Sequence, residues 1–247
     1  MAPQPIIRRS VDAAALADNA SHGLLDRLVA LQAGHRVPHL CLTGGRIANR
    51  VYGSLAALVP NSALDPTRLE LWWGDERFLP TDDPDRNAGP TLGILAGEFP
   101  LTASRTHPMP AADGVLDNAA SAATYAKELG DTAFDICLLG MGPDGHVASI
   151  FPDHPSFEHS TQTVIGVNDA PKPPAQRISL TVEALNRSRE VWYLVSGADK
   201  APAVARALEG DPTIPGGVVR GRERTIWWLD QAAAAKLASF DLSLIHI

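Results

Sequence analysis

Cysteine is scarce in this chain. Cys41 and Cys137 are the only two among 247 residues, which leaves no disulfide framework and no zinc-ligand spacing. Each sits in an apolar run, so both read as buried core thiols. Long apolar runs are also missing. No stretch of 18 apolar residues occurs, which excludes a membrane-spanning helix. The opening Met1-Ala2-Pro3-Gln4-Pro5 has no charged region leading into an apolar one, as a secretory signal would. A cytoplasmic location without membrane contact is the expectation. Basic residues are in deficit, 21 Lys and Arg against 28 Asp and Glu, for a net charge of -7. That argues against nucleic acid, which needs a basic face, but leaves room for a small anion held by a few local cations. There is no G-x-S-x-G elbow, so a serine-hydrolase mechanism is unsupported, and no P-loop.

What is present is a globular composition, 45% hydrophobic and 20% charged, with strand and helix patterns alternating along the chain. Helical spacing runs from Val11 to Ala33 and stops at Gly34. Strand His39–Thr43 precedes a helix from about Ile47 to Leu58, and strand Leu69–Trp73 precedes a loop through Pro80–Pro90. Helix Leu116–Leu129 leads to strand Phe134–Leu139. The second half adds strands Thr163–Val167, Arg177–Leu180, Glu190–Val195 and Arg224–Leu229, and helices Val182–Ser188, Asp199–Leu208 and Gln231–Ala238. This alternation predicts an α/β fold, an open and mostly parallel sheet with helices on both faces, Rossmann-like. No repeat, low-complexity linker or shift in composition divides it, so residues 1–240 are expected to form one domain. Residues 241–247 read either as a native tail or as a non-native extension, and carry no functional weight.

In open parallel sheets, ligands bind beyond the carboxyl ends of the strands. Three such ends combine glycine with polar residues. Thr43-Gly44-Gly45-Arg46 lies between a strand and a helix. It is either an ordinary tight turn or a phosphate site, with Arg46 adding a bidentate contact. Asp75-Glu76-Arg77 is a run of three charges at the end of an apolar strand. It is either a solvated loop or a set in which Asp75 and Arg77 face a cleft and Glu76 is structural. Gly140-Met141-Gly142-Pro143-Asp144-Gly145-His146 matches G-x-G-x-x-G literally. A dinucleotide fingerprint must open a helix and be followed by an acidic residue about 20 positions later. Pro143, and the early Pro152 and Pro155, leave room only for a very short helix, and Glu158 comes too soon. Histidine titrates near neutrality, so His146 is a candidate base, with Asp144 placed to orient its ring. His154 and His159 follow at spacings that suit no compact metal site; no metal and no cofactor are expected. Arg177, after the proline-rich Pro171-Lys172-Pro173-Pro174, and Lys200, at a helix start where a bound anion would relieve it, are either solvated or anion ligands.

Together these segments resemble the 6-phosphogluconolactonases of the glucosamine/galactosamine-6-phosphate isomerase superfamily. The match is carried by Thr43-Gly44-Gly45, Trp73-Gly74-Asp75-Glu76-Arg77 with Asp85-Arg86-Asn87, and Leu138 to His146 with Ala148-Ser149-Ile150-Phe151-Pro152. Arg177-Ile178-Ser179 and Gly197 to Lys200 complete it, all in order from about residue 8 to 238. The sister deaminase/isomerases have Asn-Glu-Pro soon after their Asp-Gly-His run, supplying a catalytic glutamate. Here Ser149-Ile150-Phe151-Pro152 stands there instead. Arg46 departs from the small residue usual after Gly-Gly. The resemblance implies hydrolysis of 6-phospho-D-glucono-1,5-lactone to 6-phosphogluconate in the oxidative pentose phosphate pathway. His146 would be general base, Arg77 the oxyanion donor, and Asp75 and Asp144 would orient His146 or sugar hydroxyls. Gly44, Gly45, Arg46, Asn87, Arg177 and Lys200 would bind substrate and its phosphate. The expected partner is a phosphosugar lactone, and the expected state a monomer or weak homo-oligomer. The alternatives are a glucosamine-6-phosphate deaminase/isomerase-like enzyme and a non-catalytic sugar-phosphate sensor.

Overall fold

The computed structural model describes residues 4–237. Strand β1 spans Ile6–Ser10 and helix α1 Ala13–Ala33. Asp12 caps α1 by accepting from the Ala15 N–H at 2.8 Å, and Leu16, Ala20, Leu24, Leu28 and Leu31 form its buried stripe. Then come β2 (His39–Leu42), α2 (Arg46–Leu58), β3 (Glu70–Trp73), β4 (Asp75–Arg77), α3 (Ala88–Leu95) and β5 (Thr106–His107). The remainder is α4 (Asn118–Leu129), β6 (Ile136–Leu139), β7 (Val164–Val167), β8 (Arg177–Leu180), α5 (Val182–Leu185), β9 (Glu190–Val195), α6 (Ala201–Leu208), α7 (Pro215–Val218) and β10 (Arg224–Asp230).

Seven strands form one sheet in the order β1-β10-β9-β6-β2-β3-β5, and every pairing in it is parallel. Helices flank it, as the alternating pattern predicts. Its central strands are buried on both sides: all four residues of β6 and all six of β9, with Glu190 at the start of β9 paired to Arg27 at 2.7 Å. The order reverses at the centre. From β2 the chain proceeds outward through β3 and β5, whereas from β6 it proceeds the other way through β9 and β10. The crevice beyond the carboxyl ends of β2 and β6 is therefore the topological switch point, where such sheets bind ligands.

A second sheet, β4-β8-β7, is antiparallel and lies outside the predicted plan. The chain passes between the two sheets at Gly74, whose N–H bonds Leu42 of the large sheet at 2.9 Å and whose carbonyl accepts from Leu180 of the small one at 2.9 Å. Asp75-Glu76-Arg77 is thus a strand paired with Ser179, Ile178 and Arg177, not a loop. Helix α4 packs on this small sheet. Gly166 is required there, because a Cβ would stand 2.8 Å from the Ala119 backbone. Other departures are local. β1, β5 and α3 carry too short or too mixed a pattern to announce themselves, and α3 starts inside the expected Pro80–Pro90 loop. Residues 231–237 form turns instead of a helix, and 238 onward lies outside the described residues, as does the 241–247 tail. Cys41 and Cys137 are buried, unbridged and register partners across β2 and β6. No described helix is long and apolar enough to cross a membrane.

Candidate active site

A cleft of about 500 Å³ opens at the switch point. Three βα connections and the small sheet build its walls: Thr43 to Ile47 after β2, Gly140 to Gly142 with His146 after β6, Ser196 to Lys200 after β9, and Asp75, Arg77 and Arg177 from β4 and β8. It collects all the residues singled out in the sequence except Asp144, which stands behind His146.

The His146 loop is tightly wound. The Gly142 N–H bonds the His146 carbonyl at 2.9 Å, and Gly145 adopts φ +87°. Residues 147–150 form an isolated bridge, and the next turn is a 3₁₀ segment at Pro155–Phe157, so no helix opens here and a dinucleotide fingerprint is excluded. Asp144 Oδ1 lies 2.5 Å from His146 Nδ1. A carboxylate at that distance accepts a proton, so Nδ1 carries it and the lone pair is left on Nε2. Burial pushes the Asp144 carboxyl up, but the hydrogen bond and charge of His146 and the charge of Lys172 outweigh it and hold it well below the usual carboxylate range. The imidazole packs on Phe151 at 4.8 Å between ring centres.

Opposite stands the charged triplet. Asp75 is buried; its carboxylate accepts from Ser149 Oγ at 2.7 Å and from Asn87 Nδ2 at 3.4 Å. It makes no contact with His146, so of the two carboxylates only Asp144 orients the ring. Glu76 is fully buried and structural, as expected. It accepts from the N–H groups of Asn87 at 2.6 Å, Ala88 at 2.9 Å and Arg77 at 2.8 Å, and pairs with Arg86 at 3.4 Å. It thereby satisfies orphan donors at the start of α3 and sets the backbone of its two neighbours. Arg77 reaches the Asp85 carbonyl and borders the cleft. Asn87 is packed against Gly44, where a Cβ would fall 1.9 Å from its Oδ1.

The cations fall into two groups. Arg46 and Arg50, one turn apart on the exposed first turns of α2, and Lys200 of the β9 connection line the cleft. Lys200 pairs with Asp199 at 3.1 Å. Gly45 and Gly197, at φ +106° and +109°, turn the chain into the helical segments that follow. Arg177 is different. Burial pushes its guanidinium down from its ordinary value, and most of its donors are spent. It bonds the carbonyls of Lys172, Pro173 and Pro174 at 3.0, 3.1 and 3.2 Å and Ser149 Oγ at 3.4 Å. It also lies 5.7 Å from the centre of the Phe151 ring.

Three residues escaped the sequence reading as site members. Arg50 could have been found, because position i+4 shares a helical face with Arg46. Ser149 was visible as motif but not as the bridge between Asp75 and Arg177. Lys172, 3.2 Å from His146 Nδ1, sits in a proline segment with no periodicity to point its side chain.

Comparison with known proteins places these features. A model of the family described as glucosamine-6-phosphate isomerases/6-phosphogluconolactonase matches residues 11–228. A 6-phosphogluconolactonase of Streptomyces coelicolor is 45% identical over 95% of each chain, and one of Mycobacterium tuberculosis is 43% identical over 81% of this chain and 85% of its own. The crystal structure of a 6-phosphogluconolactonase from Thermotoga maritima is 26% identical, with a TM-score of 0.80 over 92% of this chain and all of that one. A monomeric glucosamine-6-phosphate deaminase shares the fold at 21% identity and a TM-score of 0.77, over 93% of this chain and 99% of its own. With its parallel sheet, its Asp-Gly-His loop at the switch point and these relatives, the chain belongs to the glucosamine-6-phosphate isomerase/6-phosphogluconolactonase family.

Proposed function

We propose that the chain hydrolyses 6-phospho-D-glucono-1,5-lactone to 6-phosphogluconate, the lactonase step of the oxidative pentose phosphate pathway. The observation that carries this reading is the Asp144–His146 pair, whose Nδ1 is bound at 2.5 Å while the ring borders the cleft. Nε2 takes a proton from water as that water attacks the lactone carbonyl; the imidazolium then formed is stabilised by Asp144. The C–O bond of the ester breaks with the ring oxygen leaving as the hydroxyl, which takes up the proton. Arg77 stabilises the oxyanion of the tetrahedral intermediate.

Asp75, fixed by Ser149 and Asn87, accepts from substrate hydroxyls. The phosphate goes to the backbone at Gly44 and Gly45, with Arg46, Arg50 and Lys200. Held remotely, it positions the reacting carbon. Arg177 borders the cleft as well, but with most of its donors spent on carbonyls and Ser149 it supports the wall more than it grips phosphate. Where the deaminases have Asn-Glu-Pro, this chain has Ser149-Ile150-Phe151-Pro152 with no glutamate, which favours lactonase over deaminase. A base backed by a carboxylate favours an enzyme over a sensor. The substrate is a soluble small anion and the reaction proceeds in the cytoplasm.

The test is turnover of freshly generated lactone by wild type and His146→Ala. Loss of kcat by about 10² or more is expected for removal of a general base. Unchanged turnover, or release of ammonia from glucosamine 6-phosphate, overturns the reading.

A further inference from the structure

Behind the catalytic imidazole, away from the cleft, stands a lysine. Lys172 Nζ lies 3.2 Å from His146 Nδ1 and 3.4 Å from Asp144 Oδ1. Nδ1 is claimed twice, by a carboxylate that needs its proton and by an ammonium that needs its lone pair, and it cannot serve both. The 2.5 Å contact to Asp144 decides: Nδ1 bears the proton, and Lys172 is bound to the shared carboxylate oxygen while facing the ring as a like charge whenever the ring is protonated.

The placement is built. Arg177 holds the carbonyls of residues 172, 173 and 174, and is itself set on Phe151, the ring against which His146 packs. One buried guanidinium thus fixes both the floor under the imidazole and the strap that carries Lys172. Neither Lys172 nor Asp144 lines the cleft.

We infer that Lys172 is a positioning residue for the proposed hydrolysis, an ammonium set behind His146 that opposes a second proton on the ring and so leaves the Nε2 lone pair free for water. By sharing Asp144 Oδ1 it weakens the carboxylate's pull toward the imidazolium, and by its own charge it opposes protonation of the resting base. The other charged groups around His146 are Asp144 on its own loop, Arg177 of β8 behind Phe151, and Asp75, Arg77, Arg46 and Lys200 in the shared cleft; none of them changes in the variants below. The inference rests on His146 as base, and its readouts separate the two.

The experiment compares wild type, Lys172→Met and Lys172→Arg in the pH profile of kcat/KM on the lactone, together with ring ¹⁵N NMR of His146, which reads the tautomer without turnover. In Lys172→Met the acid limb is expected to move to higher pH by about half a unit to one unit, the size of effect a partly exposed like charge exerts. KM should change little, and Lys172→Arg should restore the limb. The NMR titration of His146 should move in the same direction. If the methionine variant keeps the wild-type limb and titration, or raises KM alone, Lys172 does not act through His146 and the inference fails. If the NMR titration moves while His146→Ala retains turnover, the lysine contact stands but the general-base reading falls.

Discussion

Gly142 has no room for a side chain, because a Cβ there would stand 2.0 Å from His146 Nδ1 and 2.3 Å from Asp144 Oδ1. The glycine is needed for the acid–base pair to form, and no left-handed backbone is involved. Gly142→Ala should therefore cost activity out of proportion to stability. We expect kcat to fall by about 10² or more, as for loss of an aligned base, with a modest drop in Tm; equal retention of activity would show that the pair tolerates displacement. Asp144→Asn tests the other half of the pair. An amide cannot accept the Nδ1 proton as a charge, so the imidazolium loses its partner and the ring its tautomer; kcat should fall by about 10²–10⁴ at every pH. The sign is fixed by the depressed titration of Asp144. A carboxylate held below its ordinary range is ionised above that range and protonates only as pH falls through the lowered value, so the acid limb of activity is not its titration.

At the scale of elements, α2 and α3 meet the cleft by different means. The first two turns of α2 present N–H groups and two arginines, and the helix has no side-chain cap. The sequence spacing of Arg46 and Arg50 puts both on one face, so an anion there meets two guanidiniums and a helix end. Arg50→Ala should raise KM for the lactone roughly tenfold, about one charge-assisted contact, and leave kcat near wild type; a selective kcat loss would contradict phosphate anchoring. The start of α3 is instead occupied by Glu76. Burial pushes this carboxyl above its ordinary value of 4.5, with its three N–H donors and Arg86 pulling it back. A raised value means the fold favours the protonated form. The stability it contributes is present below the ordinary range and lost as pH rises through the raised value. The difference in unfolding free energy between wild type and Glu76→Gln should slope in the window just above pH 4.5 and flatten beyond it. A difference independent of pH would show that ionisation of Glu76 is not linked to folding.

For the whole molecule, the cleft is where the two sheets and three βα connections converge, so an occupant ties together segments more than 100 residues apart. 6-Phosphogluconate should raise Tm in a concentration-dependent way. The gain should approach about 2.7 kcal/mol at a hundredfold excess over its dissociation constant and be smaller for Lys200→Ala; no shift with either protein would argue against product binding at this site. The parallel sheet was legible from sequence because its strands are buried on both faces, and a run such as Ile136-Cys137-Leu138-Leu139 between glycine-bearing turns has few other places to go. The small antiparallel sheet was not, because Asp75-Glu76-Arg77 has the composition of a loop and becomes a strand only through pairing with Arg177 to Ser179, a hundred residues on. Among site residues, His146 and its neighbour Asp144 could be read from their own loop, and so could Arg46, Gly44 and Gly45. Their candidacy follows from residue type and local spacing, which left the Gly44-Gly45 turn open between an ordinary turn and a phosphate site until the resemblance favoured the second. That Asp75 meets Ser149 and not the histidine, that Arg177 spends most of its donors on the carbonyls of residues 172–174 and on Ser149, and that Lys172 stands beside Asp144 and His146 Nδ1 were decided by tertiary structure. Each depends on distances between segments remote in the chain, and hydrogen-bond donors once spent on carbonyls or hydroxyls are no longer free for substrate.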